Sequence, residues 1–229
     1  AGLKVVVVAT GQRPRLAKAF REGHADLLTM HSGDITTDLA ADGYGTRMRP
    51  WTRNNLVIVG PPSDPAKIKG MKSGEEAFRR IAEAKARYVD SWGMGAREVW
   101  HRACHRAGVE RKGDWILRDD TPDDKHNILL FAERQNAYVV VGRMPILFGK
   151  MPRGTMEIMV EADPMMRRPY IVMEANPKRL PEANHRGARA LSDFLLSDET
   201  QRFLLVFRAK EFGGIPLFHP TWPHDPQAP

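Results

Sequence analysis

A glycine-rich turn at 93–97 (GMGAR) precedes a helical pattern and contains residue types that bind anions. The first turn of a helix presents free backbone N–H groups and the positive end of the helix dipole, which together hold negative charge. The guanidinium of Arg97 adds a charge-assisted contact that can be bidentate. We therefore expect Gly95 and Arg97 to contact an anion. A tight helix start with a surface arginine is the structural alternative.

Two further polar side chains follow apolar runs that are typical of buried strands. Arg143 comes directly after the run 137–142, and His31 after the run 25–30. In open α/β sheets, ligands lie beyond the carboxyl ends of the strands. Both residues are therefore candidate ligand contacts. An ion pair is the alternative role for Arg143, and a structural hydrogen bond is the alternative for His31.

The turn after the first apolar run, 3–9, supplies Thr10 and Gln12, which would lie at the carboxyl end of that strand. Turn geometry alone would also explain the glycine between them. Asn54 precedes the short apolar run 56–59 and is predicted either to cap backbone groups or to face a ligand cleft. These three residues complete the predicted ligand-binding set.

Three residues with metal-binding side chains share one predicted helix. His101 and His105 have the i, i+4 spacing at which two histidines can share a metal ion, and Cys104 lies beside them. Arg102 stands where a zinc protease would have glutamate, and Arg106 adds a second repelling charge. A solvated helix face is the favoured interpretation, so we predict no metal and no cofactor.

An acidic cluster at 119–124 (DDTPDD) could bind a hard cation, although a loop ahead of a helix N-terminus is the favoured interpretation. No nucleophile and base stand in a recognisable catalytic arrangement. Ser91 lacks the G-x-S-x-G setting, and Cys104 has no activating partner beyond His101 and His105. The sequence therefore predicts a binding protein and not an enzyme.

The charge and the cysteine content narrow the class of protein only slightly. Lys and Arg outnumber Asp and Glu by 35 to 28, and a net charge of +7 would attract nucleic acid, an anionic membrane or a small anion. The charges alternate along the chain, however, which is typical of a solvated surface. The single cysteine excludes an intrachain disulfide. No apolar run approaches the roughly 20 residues that span a bilayer, and no signal-peptide pattern opens the chain.

The elements that would position these residues alternate in type. The apolar runs 3–9 and 25–30 flank a helical pattern at 16–22, and this β-α-β rhythm predicts an α/β fold. Two later runs, 56–59 and 170–175, are each closed by a proline-containing turn. An apolar run that ends in a proline-containing turn is typical of a strand that leaves a compact domain, so we predict that both runs cross between domains.

Two crossings imply that the middle of the chain is an inserted domain. We predict that residues 1–60 and 172–229 form the first lobe and that residues 61–171 form the second. The last ten residues, 220–229, are rich in proline and polar side chains and are predicted to be a loose C-terminal tail.

Several segments together resemble the tungstate-binding receptors of ABC importers, a family of type II periplasmic binding proteins. The resemblance implies the type II periplasmic-binding-protein fold, an α/β fold of two lobes joined by two hinge strands. The chain starts where the second strand of those receptors starts, so their first βα unit is expected to be absent. The segments that carry the resemblance are 10–12 (TGQ), 25–31, 42–45 (DGYG), 49–50 (RP), 54–65, 107–115, 170–177 and 216–218 (PLF).

The resemblance also bears on the site. Thr10, Gln12, His31 and Arg143 match residue types that the receptors have at these positions. In the receptors the turn at 93–97 reads Ser-Gly-Thr, whereas here both flanking hydroxyl residues are replaced and the glycine is kept. The resemblance therefore implies an anion site with fewer hydroxyl donors than its relatives have.

The function that this resemblance implies is that of a periplasmic or extracytoplasmic solute-binding receptor. It would capture a small anion, a tungstate-like oxyanion in this family, between its two lobes. Its partners would be that small-molecule anion and a membrane-bound ABC permease, with no nucleic acid, and we expect a monomer. The alternative is the ligand-sensing domain of a cytoplasmic transcriptional regulator. An enzyme on the same two-lobed scaffold is the least supported alternative because no catalytic set is present.

Overall fold

The structure, a computed structural model, describes residues 2–91, 93–118 and 127–227, and these form two compact α/β units. Unit 1 combines the residues up to Asn54 with those from Arg168 onward, and unit 2 runs from Asn55 to Arg167. In chain order the elements are α1 (Arg13–Arg21), β1 (Leu27–His31), α2 (Asp34–Ala41), β2 (Gly45–Gly60), α3 (Gly74–Glu83), β3 (Tyr88–Asp90), α4 (Met94–Ala107), β4 (Ile116–Arg118), α5 (Ile128–Arg134), β5 (Tyr138–Gly142), α6 (Arg143–Leu147), β6 (Glu157–Val160), β7 (Arg167–Ala175), α7 (His185–Leu195), α8 (Asp198–Leu204) and β8 (Phe218–His219).

The chain passes from one unit to the other inside two long strands. The boundary at Asn54 falls within β2, and the boundary at Arg168 falls within β7. This arrangement confirms the predicted fold of two α/β lobes joined by two strands.

Unit 1 contains a sheet built on antiparallel pairs. β1 pairs with β7 and brings His31 opposite Tyr170, while the first part of β2 pairs with β8. Phe20 of α1 and Leu39 of α2 are fully buried against the apolar side chains of β1 and β7. This packing fixes the first residues of α1 and α2 beside the end of β1.

Unit 2 contains a mixed sheet in which β2 pairs antiparallel with β5 and β6, and β3 pairs parallel with β4 and β5. Ile58 packs in one apolar cluster and Val57 and Val59 in another, so the two faces of β2 are both covered here. A strand buried on both faces reads as a continuous apolar run, which explains the pattern at 56–59. The core of unit 2 also contains the stacked rings of Tyr88 and Trp100, whose centroids are 4.6 Å apart.

Two helix ends of unit 2 have residue types that favour them. The Ser73 hydroxyl accepts the Glu76 N–H at 3.2 Å and so caps α3. α4 ends at Gly108, whose φ of 67° is the left-handed conformation that glycine adopts without strain. α3 ends at Glu83, and Lys85 just beyond it has a positive φ of 48°, which a helix cannot accommodate. The predicted acidic cluster and its helix cap, within 119–126, lie outside the described residues.

The prediction of a buried strand at 3–9 is wrong. These residues have no strand structure, and the side chains from Val5 to Val8 are exposed. A β-branched run favours an extended strand, but the strand forms only when a neighbour accepts and donates its ladder hydrogen bonds. The described parts of the chain provide no such neighbour for this run.

The prediction of a loose tail at 220–229 is also wrong as far as residue 227. Thr221 and Asp225 are buried, and the Thr221 N–H donates to the Gln201 side-chain oxygen at 3.0 Å. The Gln201 amide nitrogen in turn donates to the Trp51 carbonyl at 2.8 Å. The glutamine therefore joins the C-terminal segment to α8 and β2, a contact that composition could not reveal.

Candidate anion-binding sites

Arg97 lies in the first turn of α4, where a single carboxylate orients its side chain. Its Nε donates to Oδ1 of Asp90, the last residue of β3, at a distance of 3.0 Å. The Asp90 side chain is 14% exposed, and that of Arg97 is 38% exposed. Because the acid takes the Nε, the two terminal nitrogens of Arg97 remain available. They make no hydrogen bond to the described part of the chain.

The backbone at the start of α4 adds donors beside this arginine. The N–H groups of Ala96 and Arg97 both donate to the Gly93 carbonyl, at 2.9 and 3.1 Å. The N–H of Gly95 lies earlier in the helix, where no preceding carbonyl can accept it. A partly buried glycine N–H next to an oriented guanidinium is a suitable pair of donors for one anion.

Arg143 begins α6 at the end of β5, as predicted, but its side chain is only 3% exposed. Its Nε donates to Oε2 of Glu161 at 3.1 Å, and the Glu161 side chain is 32% exposed. The structural ion pair that sequence reasoning left open is therefore present. A ligand contact for Arg143 stays a prediction.

His31 of unit 1 sits at the end of β1 against the ring of Tyr170, with centroids 3.9 Å apart. Its Nδ1 is buried and finds no hydrogen-bond acceptor or donor among the described residues. Burial, together with the positive charges of Arg168 and Arg13, lowers the pKa of His31 to about 4, although a backbone hydrogen bond with Pro169 acts in the opposite direction. The imidazole is therefore neutral near pH 7.

Two arginines from distant parts of the chain meet beside His31. Arg168 is 8% exposed, and its Nη2 donates to the Ser32 carbonyl at 3.4 Å. The Nη1 of Arg13 lies so close to Gly33 that a Cβ built on this glycine would be 2.5 Å from it. Sequence reasoning missed both arginines. In the described part of the chain, the only signals were that Arg13 follows the turn at Gln12 and that Arg168 lies near the start of the second crossing strand.

Thr10 and Gln12 belong to unit 1, and both are exposed. Gln12 is the N-cap residue of α1, and its carbonyl accepts the Leu16 N–H at 3.2 Å, while its side chain caps nothing. The structure therefore places these two residues on the surface immediately before Arg13. Direct ligand contact by Thr10 or Gln12 stays a prediction.

Asn54 is 5% exposed and lies opposite Phe218 in the β2–β8 pair. Its side-chain oxygen is buried and has no hydrogen-bond partner in the described ranges. A buried polar atom without a partner costs free energy, so such an atom is a candidate for contact with a ligand or water. The structure does not show the backbone cap that was the alternative role for this side chain.

The residues with metal-binding side chains lie on α4. Burial raises the pKa of the Cys104 thiol to about 12, which leaves it protonated and unreactive at neutral pH. The pKa of His101 is lowered, mainly by burial and then by the charge of Arg111. Within residues 2–91, 93–118 and 127–227, no group of three or more His, Cys, Asp or Glu side chains could hold a metal ion.

The two α/β units, the two strands that join them and the oriented arginine together define the class of two-lobed binding proteins. Residues 2–205 match the model of the family described as bacterial extracellular solute-binding protein. The chain belongs to this family. None of the helices in the described ranges combines the length and the apolar character needed to cross a bilayer.

Relatives with assigned names are similar along nearly the whole chain. A Haloferax volcanii protein, whose name assigns it anion binding for an ABC transporter, is 31% identical over 231 residues, covering 96% of this chain. The chain spans only 64% of the length of that relative. The tungstate-binding protein TupA of Peptoclostridium acidaminophilum is 30% identical over 225 residues, with 95% of this chain and 75% of the relative covered. These relatives confirm the resemblance to tungstate-binding receptors.

A solved structure with the same fold is that of the tungstate-binding protein TupA from Desulfovibrio alaskensis G20. It superposes with a TM-score of 0.70 at 23% identity, over 91% of this chain and 83% of that protein. At this identity the similarity concerns the fold alone. It confirms the periplasmic-binding-protein fold predicted from the sequence.

Proposed function

We propose that this protein is the solute-binding receptor of an ABC importer and that its solute is a small oxyanion. The observation that carries the proposal is the geometry of Arg97, whose Nε is held by Asp90 while its terminal nitrogens stay available at the N-terminus of α4. A guanidinium fixed in this way can bind two oxygens of one anion without first losing side-chain freedom.

The relatives support both the transport role and the class of solute. One is named for anion binding in an ABC transporter and another for tungstate binding. Tungstate is therefore the first oxyanion to test. We propose a site of action outside the cytoplasm and a membrane-bound permease as the partner, as the family description implies. Membership of a solute-binding family favours this role over the regulator domain, and we propose no catalytic activity.

Thermal unfolding in the presence of tungstate, molybdate, sulfate or phosphate tests the proposal. A ligand that binds only the folded state stabilises it by about 2.7 kcal/mol at 100 times its dissociation constant, which raises the unfolding temperature. We expect at least one of these oxyanions to do so and expect Arg97→Ala to abolish the effect. Arg106→Ala is the matched control, since Arg106 is an exposed arginine at the other end of α4.

Two outcomes would overturn the proposal. The first is that none of the four oxyanions changes the unfolding temperature of the wild-type protein. The second is that the Arg97→Ala variant responds as strongly as the wild type and the Arg106→Ala variant do.

A further inference from the structure

We propose that Ser91 of unit 2 is a further solute contact and that its hydroxyl donates to the oxyanion held by Arg97. This inference rests on the function proposed above and adds a residue to the same site. The two terminal nitrogens of Arg97 can bind two oxygens of one anion, and Ser91 would bind a third. The solute class is therefore an oxyanion with at least three oxygens, which disfavours simple carboxylates.

The position of Ser91 at the end of β3 supports this role. It follows Asp90, the last residue of β3, and β3 pairs in parallel with both β4 and β5. In open α/β sheets, ligands lie beyond the carboxyl ends of such strands. The Ser91 N–H donates to the Val89 carbonyl at 2.9 Å, so the backbone turns away from the strand direction at this residue.

The Ser91 hydroxyl lies beside the first turn of α4. A Cβ built on Gly93, the N-cap residue of α4, would be 3.5 Å from Ser91 Oγ, which is an ordinary contact distance. The Gly93 carbonyl accepts the N–H groups of Ala96 and Arg97 at 2.9 and 3.1 Å, so Gly93 and Arg97 belong to the same hydrogen-bonded turn. The Ser91 hydroxyl therefore lies next to the turn that carries the Arg97 guanidinium.

The hydroxyl of Ser91 makes no hydrogen bond within the part of the chain that the structure describes, although the residue is half-buried. Each of the other serines takes part in a side-chain hydrogen bond. They are Ser32, Ser63, Ser73, Ser192 and Ser197. A half-buried hydroxyl loses part of its hydration, so an unused one beside an oriented guanidinium is a candidate for contact with the solute.

The chemistry of the segment makes this hydroxyl a donor toward an anion. A serine hydroxyl carries one hydrogen, and an ionised oxygen accepts that hydrogen in a short, charge-assisted bond. Met94 and Ala96 have no hydroxyl, so Ser91 is the only hydroxyl residue of the sequence from 90 to 97. It therefore adds a neutral donor to the charged donor that Arg97 supplies.

Calorimetric titration of the full chain with tungstate, or with molybdate, sulfate or phosphate where one of these binds more tightly, tests the proposal. We expect Ser91→Ala to weaken binding about tenfold, because one hydrogen bond to a charged group is lost. Ser91→Thr keeps a hydroxyl and should bind within about threefold of the wild type. Ser63→Ala is the matched control, because Ser63 is an exposed serine of the same unit, and it should bind as the wild type does.

Thermal unfolding without any anion separates solute contact from a structural role. The Ser91→Ala protein should unfold at the wild-type temperature, because the hydroxyl that it loses bonds to none of the described residues. A clearly lower unfolding temperature of the anion-free variant would assign Ser91 a structural role and overturn the proposal.

The binding results also separate this proposal from the previous one. If the wild type binds none of the four oxyanions, both proposals are overturned. If Arg97→Ala abolishes binding while Ser91→Ala binds as tightly as the wild type, only the present proposal is overturned. Equally weak binding by Ser91→Ala and Ser91→Thr would overturn it as well.

Discussion

The two units hold their arginines in different ways. In unit 2 each candidate arginine has its own carboxylate on Nε, Asp90 for Arg97 and Glu161 for Arg143. In unit 1 one carboxylate, that of Glu174, accepts from three arginines, and two further arginines act on His31. Asp193 also contacts Arg47 and Arg49, so the group in unit 1 is a network of several arginines and two carboxylates. In unit 2 one carboxylate orients each arginine, whereas in unit 1 several arginines share one buried carboxylate.

The shared carboxylate provides the strongest test of this difference. Glu174 is buried, and its oxygens accept from Arg47 at 3.1 Å, Arg49 at 3.3 Å and Arg189 at 2.8 Å. We expect Glu174→Gln to lower the free energy of unfolding by about 3 kcal/mol, because three arginines lose the buried carboxylate that accepts their hydrogen bonds. Denaturant unfolding measures this change.

Asp193 is the control for that experiment, since it contacts two of the same arginines from the surface with its side chain 53% exposed. Asp193→Asn should change the free energy of unfolding by less than about 1 kcal/mol. Equal losses for the two variants would show that burial of the shared carboxylate does not matter.

The pH dependence of stability tests the lowered pKa of His31 in unit 1, whose largest cause is burial. The folded-state pKa of His31, about 4, lies below the ordinary value of 6.5, so the unfolded state binds more protons between these values. The contribution of His31 to stability is therefore fully present above pH 6.5 and is lost as the pH falls toward 4. From pH 7 to pH 5 we expect a loss of about 2 kcal/mol from this residue.

Urea unfolding of the wild type and of His31→Gln at both pH values measures this contribution. The variant should lose about 2 kcal/mol less than the wild type over the same interval. Parallel losses in the two proteins would mean that folding does not lower the pKa of His31.

Two variants of Asp90 separate its two effects on Arg97, the hydrogen bond that orients the guanidinium and the negative charge beside it. Asparagine keeps an oxygen that can accept from the Arg97 Nε, whereas alanine keeps none. We expect Asp90→Ala to weaken tungstate binding about tenfold, or about 1.4 kcal/mol, and Asp90→Asn to bind at least as tightly as the wild type. Calorimetric titration provides both affinities. Equal affinities for the two variants would contradict the orienting role of Asp90.

Local signals in the sequence were sufficient for much of the fold. The Ser73 cap, the stop at Gly108 and the doubly buried run at 56–59 depend on neighbours within a few residues or on burial alone. The run at 3–9 has the same composition as a buried strand and is nevertheless exposed, because strand formation depends on a partner elsewhere in the chain.

In the candidate sites, too, contacts between nearby residues could be predicted, whereas contacts between distant residues could not. Arg97 could be proposed as a ligand contact from the sequence because the glycine and the arginine of its turn are adjacent in the chain, and its ion pair with Asp90 spans only seven residues. The meeting of Arg168 with Ser32 joins residues 136 positions apart, and no local pattern encodes it. The Gln201 contact that holds the C-terminal segment was missed for the same reason.

The complete burial of Cys104 has a consequence for labelling this protein with thiol-reactive dyes. A thiol that is fully buried and protonated at neutral pH does not compete for maleimide reagents in the native state. A cysteine introduced at an exposed position can therefore be labelled with a single fluorophore while the natural residue stays in place. Such a conjugate would report solute binding by fluorescence without any change to the core of unit 2.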